Sequence, residues 1–180
     1  MTQSRAHGKC SSGMKRSPAS AAYSIGEDPR TQYGAICWRK TGGRFDVLLI
    51  TSRETGRWVI PKGWPTKGLS AAGCAEREAW EEAGVEGKVS KNCLGLFSYQ
   101  KVLVQAQSIL CVVSIYGLRV EKLLRRYPEQ RQRQRKWFAA GEAARLVAEP
   151  ELRDLLLALA DDALLVAEVA PGKKQTSAGQ

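Results

Sequence analysis

Three glutamates, Glu78, Glu81 and Glu82, lie within the stretch Arg77-Glu78-Ala79-Trp80-Glu81-Glu82-Ala83-Gly84-Val85. Their spacing of i, i+3 and i+4 puts all three carboxylates on one side of a helix. Without a cation this is mildly unfavourable, because the like-charged 78/82 pair costs roughly a few tenths of a kcal/mol. A divalent cation turns the repulsion into attraction. The chain has one histidine, His7, near its start, which argues against histidine-ligated metals and histidine-based triads. Hard oxygen donors, with no nitrogen or sulfur ligands at hand, favour magnesium or manganese over zinc. A solvated surface helix also shows E-x-x-E-E, so the surroundings decide.

Those surroundings are organised. The spacing predicts a helix over about Ala71 to Ala83, with Ser70 as N-cap and Gly84 as the C-terminal stop. Ala72, Ala75, Ala79 and Ala83 form a small-residue face that lets this helix sit close to a sheet. Upstream, Trp58-Val59-Ile60 reads as a short strand ended by Pro61, followed by a glycine-rich connection from Lys62 to Leu69. Lys62 and Gly63 open that connection, where backbone can approach a phosphate or metal closely.

Strands are expected over Tyr33 to Arg39 and Phe45 to Thr51, with the turn Thr41-Gly42-Gly43 between them. Further strands are expected near Val89 to Leu96, Leu96 to Val102, Ser108 to Val120 and Lys136 to Phe138. Gly141 to Val147 reads as helical. Pro150 opens a last helix whose Leu152, Leu155, Leu156 and Leu159 share a face. The interleaving of strands with helices implies an α/β (α+β) domain. It is expected over residues 31–165, between a basic extension, 1–30, and a polar tail, 166–180.

The chain has 180 residues and a formal net charge of +10. That length suits one domain, and that charge suits an anionic ligand or a solvated basic surface. No apolar run approaches the roughly 20 residues needed to span a bilayer, so no membrane association is expected. Five widely spaced cysteines without a C-x-x-C pair fit a reducing compartment, and a cytoplasmic location is expected.

Gly63 followed by Arg77-Glu78-x-x-Glu81-Glu82-x-Gly84-Val85 resembles the Nudix box, G-x5-E-x7-R-E-U-x-E-E-x-G-U. One position departs from it: the first box glutamate falls on Leu69, which bears on loop geometry. The resemblance implies a Nudix α/β/α sandwich with a mixed central sheet. It also implies hydrolysis of a diphosphate linkage by water attack at phosphorus. Glu78, Glu82 and Glu81 would then be the metal-holding carboxylates, with Glu81 the first choice of general base and Glu82 the second.

A narrower resemblance concerns substrate. Ala35 to Arg39, Leu48 to Arg53, Arg57 to Pro61 and Gly95-Leu96-Phe97-x-x-Gln100-Lys101 look like the diphosphoinositol polyphosphate and diadenosine polyphosphate phosphohydrolase branch. So does an arginine-rich run ending in Trp137-Phe138. The resemblance implies phosphate binding by Ser52, Arg53, Arg30, Lys101 and Arg133. Lys62-Gly63-Trp64 replaces that branch's triple-glycine loop, a departure that bears on substrate preference. Between Arg119 and Lys136 lie eight basic residues against two acidic ones, a composition that serves a polyphosphate clamp or a solvated loop equally.

A small-molecule polyphosphate is the expected partner. Nucleic acid is compatible but not favoured, because no aromatic-interleaved basic sheet is evident. RNA 5′ ends, nucleoside triphosphates and nucleotide sugars stand as rival substrates. A non-catalytic phosphate- or nucleic-acid-binding module is the rival of another class.

Overall fold

In the strand Arg44–Thr51 the side chains of Val47 and Leu49 face one way, and those of Leu48 and Ile50 the other, yet all four are buried. A strand buried on both faces must lie between two layers. The computed structural model, which describes residues 29–102 and 108–161, shows both layers. The strands are β1 (Arg30–Thr41), β2 (Arg44–Thr51), β3 (Trp58–Val59), β4 (Lys62–Gly63), β5 (Val85–Val102), β6 (Ser108–Leu123) and β7 (Arg135–Ala139). The helices are α1 (Ala71–Ala83), α2 (Ala140–Leu146) and α3 (Pro150–Ala160).

One mixed sheet runs β3-β2-β1-β6-β5, with β4 pairing β1 and β7 pairing β2. The β1–β6 pair is parallel. On one face Val47, Leu49, Ile36 and Ile115 pack against Ala143, Ala144, Leu152, Leu156 and Leu159 of α2 and α3. On the other, Ala35, Cys37, Leu48 and Ile50 pack against Ala72, Ala75, Ala79 and Ala83 of α1. The expected α/β/α sandwich with a mixed sheet is therefore found. Trp38 and Trp58 pack against the first of these clusters and Trp137 against the second.

Two elements differ from expectation. The strands expected to meet at Leu96 are one strand, β5, whose register slips between Glu86/Gly87, Val89/Cys93 and Cys93/Gly95. The slips after Val89 and Cys93 let the pairing with β6 resume on the far side of the exposed Lys91-Asn92 stretch and run on through Leu96. Lys62 and Gly63, expected as loop, form a short antiparallel pair with Gly34 and Tyr33. Among the described residues no helix is long and apolar enough to cross a membrane. Cys37, Cys74, Cys93 and Cys111 are free. His7, Cys10, most of the basic extension and the polar tail lie outside the described residues.

Candidate active site

Helix α1 begins where the Ser70 hydroxyl accepts the Gly73 amide at 3.1 Å. It ends at Gly84, whose φ of 63° and ψ of 37° are left-handed. These caps fix its length, and the alanine face fixes its rotation. Glu78, Glu81 and Glu82 consequently face a cleft of about 550 Å³. The same cleft is lined by Ser52, Arg53, Lys62, Gly63, Lys101 and Arg133. Arg30, at the start of β1 in register with Cys111, is outside that lining.

Glu82 is 7% exposed. Its carboxylate accepts the Lys62 amide at 3.0 Å and is paired with Arg133. Burial raises its pKa, while Arg133 and Lys62 oppose the rise. Glu81 pairs with Arg77 at 2.7 Å along the helix. Glu78 has no arginine or lysine at ion-pair distance among the described residues. Burial first, then Glu82, Glu81 and Glu129, push its carboxyl up to about 7. Its carboxyl lies against Gly63, filling the space a Cβ there would occupy. Lys62 is pushed down from the usual lysine value by burial, against the pull of Glu82 and Glu149. Its ammonium lies 5.1 Å from the Tyr99 ring centroid.

Sequence reasoning passed over Glu129, the lone carboxylate between Arg125 and Arg135. It accepts from Arg133 at 2.6 Å and from Arg53 at 3.4 Å, so it holds two of the expected phosphate-binding arginines together. A single acid inside a basic run was the available signal. Tyr99 and Gln32 were also missed; the Tyr99 hydroxyl donates to Gln32 at 2.8 Å in the cleft wall. Trp64 is 38% exposed on the cleft rim, with the Lys101 ammonium 5.0 Å from its ring centroid. Arg135, grouped by sequence with the clamp, turns instead to the Ala83 and Leu124 carbonyls.

Glu78, Glu81, Glu82 and Glu129 surround the cleft with oxygen donors only, the set that suits a hard divalent cation. As placed, Glu81 and Glu82 are turned onto arginines, and among the described residues no three acidic, cysteine or histidine side chains converge on one point. Burial, with the charges of Glu82, Glu81 and Glu129 behind it, raises Glu78, no ion pair relieves it among the described residues, and a bound cation would.

The chain belongs to the Nudix family: the NUDIX domain matches residues 28–159. Among curated proteins it is similar to Nudix hydrolase 16, mitochondrial, of Arabidopsis thaliana, at 31% identity over 121 residues, 66% of this chain and 67% of that protein. It is similar too to diphosphoinositol polyphosphate phosphohydrolase 3-alpha of Homo sapiens, at 31% identity over 114 residues, 62% of this chain and 65% of that one. Coverage of other curated relatives is 54% and 57% of their length, so the chain spans about half to two thirds of these proteins. Among solved structures the fold is similar to a C. elegans Ap4A hydrolase binary complex, with TM-score 0.56, 20% identity, and coverage of 77% of this chain and 98% of that one. The E. coli dihydroneopterin triphosphate pyrophosphohydrolase gives TM-score 0.54 at 17% identity, covering 73% and 95%. At such identities these two likenesses establish the fold.

Proposed function

We propose that the protein is a metal-dependent hydrolase that cleaves a diphosphate linkage by water attack at phosphorus. The proposed substrate is highly phosphorylated, a diadenosine polyphosphate or an inositol pyrophosphate. The observation that carries this reading is a single cleft with carboxylates from α1 on one wall and Arg53, Lys62, Lys101 and Arg133 around them. A polyphosphate needs cations along its length and a base near the scissile phosphorus.

Magnesium or manganese, held by Glu78, Glu82 and Glu81, would neutralise diphosphate charge and activate water. Arg53 offers its planar fork to phosphate oxygens. Arg133, whose fork is held by Glu82, Glu129 and the Thr51 carbonyl, would reach phosphate once a metal takes over Glu82. Ser52, Lys101 and the Lys62-Gly63 backbone extend the contact surface. Arg30 joins them where a long substrate reaches the start of β1. Glu81 is the proposed general base and Glu82 the alternative; Arg77 orients the Glu81 carboxylate. The Lys62 amide fixes one oxygen of Glu82. Names of diphosphoinositol polyphosphate and Ap4A hydrolases among the relatives support the substrate class. A cytoplasmic location is proposed on the five widely spaced cysteines without a C-x-x-C pair.

The test is phosphate and nucleotide release, with magnesium or manganese, from diadenosine tetraphosphate, an inositol pyrophosphate, a nucleoside triphosphate and triphosphorylated RNA. Metal-dependent cleavage that is lost in Glu82→Gln establishes the hydrolase, and the preferred substrate sets the branch. Silence across the panel in folded, metal-supplied protein overturns the proposal in favour of a binding module.

A further inference from the structure

The C-terminal turn of α1 carries Glu81 and Glu82 but no basic side chain of its own. The last carbonyls of a helix have no partner within it, and the negative end of its dipole gathers there. One distant segment, residues 124–135, meets this need. The Glu129 amide donates to the Glu81 carbonyl at 3.0 Å, and the Leu124 amide donates to the Gly84 carbonyl at 2.8 Å. Between them the Arg135 guanidinium donates to the Ala83 carbonyl. Its other arm donates to the Leu124 carbonyl at 2.6 Å.

The guanidinium also lies 4.7 Å from the centroid of the Tyr127 ring. A Cβ on residue 84 would press on both Tyr127 and Arg135, so glycine serves this packing as well as the helix stop. The same segment carries Glu129 and Arg133, whose side chains enter the cleft. One stretch of chain therefore grips the backbone of the glutamate helix and presents the cleft arginine.

We infer that Arg135 is a positioning residue: it clasps segment 124–135 to the last turn of α1 and so sets Glu81, Glu82 and Arg133 relative to one another. It acts through those groups. Lysine keeps the charge but lacks the planar fork that spans two carbonyls. The kinetic part of this inference rests on the hydrolase reading; the clasp itself does not.

The experiment combines amide hydrogen exchange with steady-state hydrolysis of diadenosine tetraphosphate in wild type, R135A and R135K. In R135A, exchange at the Leu124 and Glu129 amides should accelerate at least about tenfold while β1 and β6 amides keep their protection. The turnover number of the folded enzyme should fall by about tenfold or more, with R135K intermediate in both readouts. Wild-type protection at Leu124 and Glu129 in R135A overturns the clasp. Accelerated exchange with turnover within about twofold of wild type overturns the positioning role, since a merely structural arginine lowers thermal stability and leaves turnover of folded protein unchanged. If R135A does not fold, R135K carries the same readouts with smaller expected changes, and wild-type values in both overturn the inference. If wild type hydrolyses no substrate, the hydrolase reading fails while the exchange result still decides the clasp.

Discussion

Replacing Gly63 by alanine should separate activity from folding. Gly63 is not among the glycines with positive φ, so alanine fits its backbone and loses less entropy on folding, worth about 0.4–1 kcal/mol. The obstacle is the Glu78 carboxyl. A Cβ on residue 63 would stand inside the 3.0 Å that real Cβ atoms essentially never breach. Restoring ordinary contact moves the carboxylate by on the order of 1 Å. Because the obstacle is the end of a flexible side chain, the fold yields there cheaply, and net stability should change by less than about 1 kcal/mol. If Glu78 holds the metal as proposed, displacing its carboxylate by about 1 Å costs catalysis roughly 10²-fold, or about 2.7 kcal/mol of barrier. The assay is metal-dependent release from diadenosine tetraphosphate, paired with thermal unfolding. G63A/E78D, with the acid shortened by one methylene, should recover part of the loss. A folded G63A within about threefold of wild-type turnover would refute the reasoning, because Glu78 would then need no fixed place.

Three further outcomes follow from the site. Glu81→Gln should lower turnover by about 10²–10⁴ with thermal unfolding little changed, since its partly exposed pair with Arg77 adds little stability; unchanged turnover removes Glu81 from the role of base. Arg53→Ala should raise KM most for the most phosphorylated substrates without lowering the unfolding temperature. Arg133→Ala should do both, because it strands the buried Glu82 carboxylate, and equal KM effects on a simple dinucleotide would sink the clamp. Glu78, with its carboxyl at about 7 against an ordinary 4.5, binds a proton in the folded protein that the unfolded chain releases between those values. Stability of the metal-free protein should therefore fall as pH rises through that window and level off above it. Glu78→Gln should flatten the fall, which urea unfolding at about pH 5 and about pH 8 would measure.

The parts legible from sequence are those whose signals are local. Ser70, the alanine stripe and Gly84 bound α1 within a few residues, and the glutamate spacing orients the acids once the helix is granted. Strand β4 escaped notice because Lys62 and Gly63 are ordered by pairing with Tyr33 and Gly34, a partnership that leaves no mark in their own neighbourhood. Strand β5 was divided at Leu96 and begun late, at Val89, because its register slips, the last between Cys93 and Gly95, break the alternation that periodicity follows.

The basic run shows why composition stops short of function. Arg133 and Arg135 are the same residue type two positions apart, and a phosphate clamp accounts for both equally well. A guanidinium recognises planar arrays of oxygen, and helix carbonyls offer those as readily as phosphates or carboxylates do. The choice falls to what lies opposite each arginine: for Arg133, Glu82 and Glu129 in the cleft; for Arg135, the open end of α1, 52 residues away in sequence. Because the helix end needs a cation and its own last turn has none, part of the basic charge expected to meet substrate is already committed to holding the acids that would act on it.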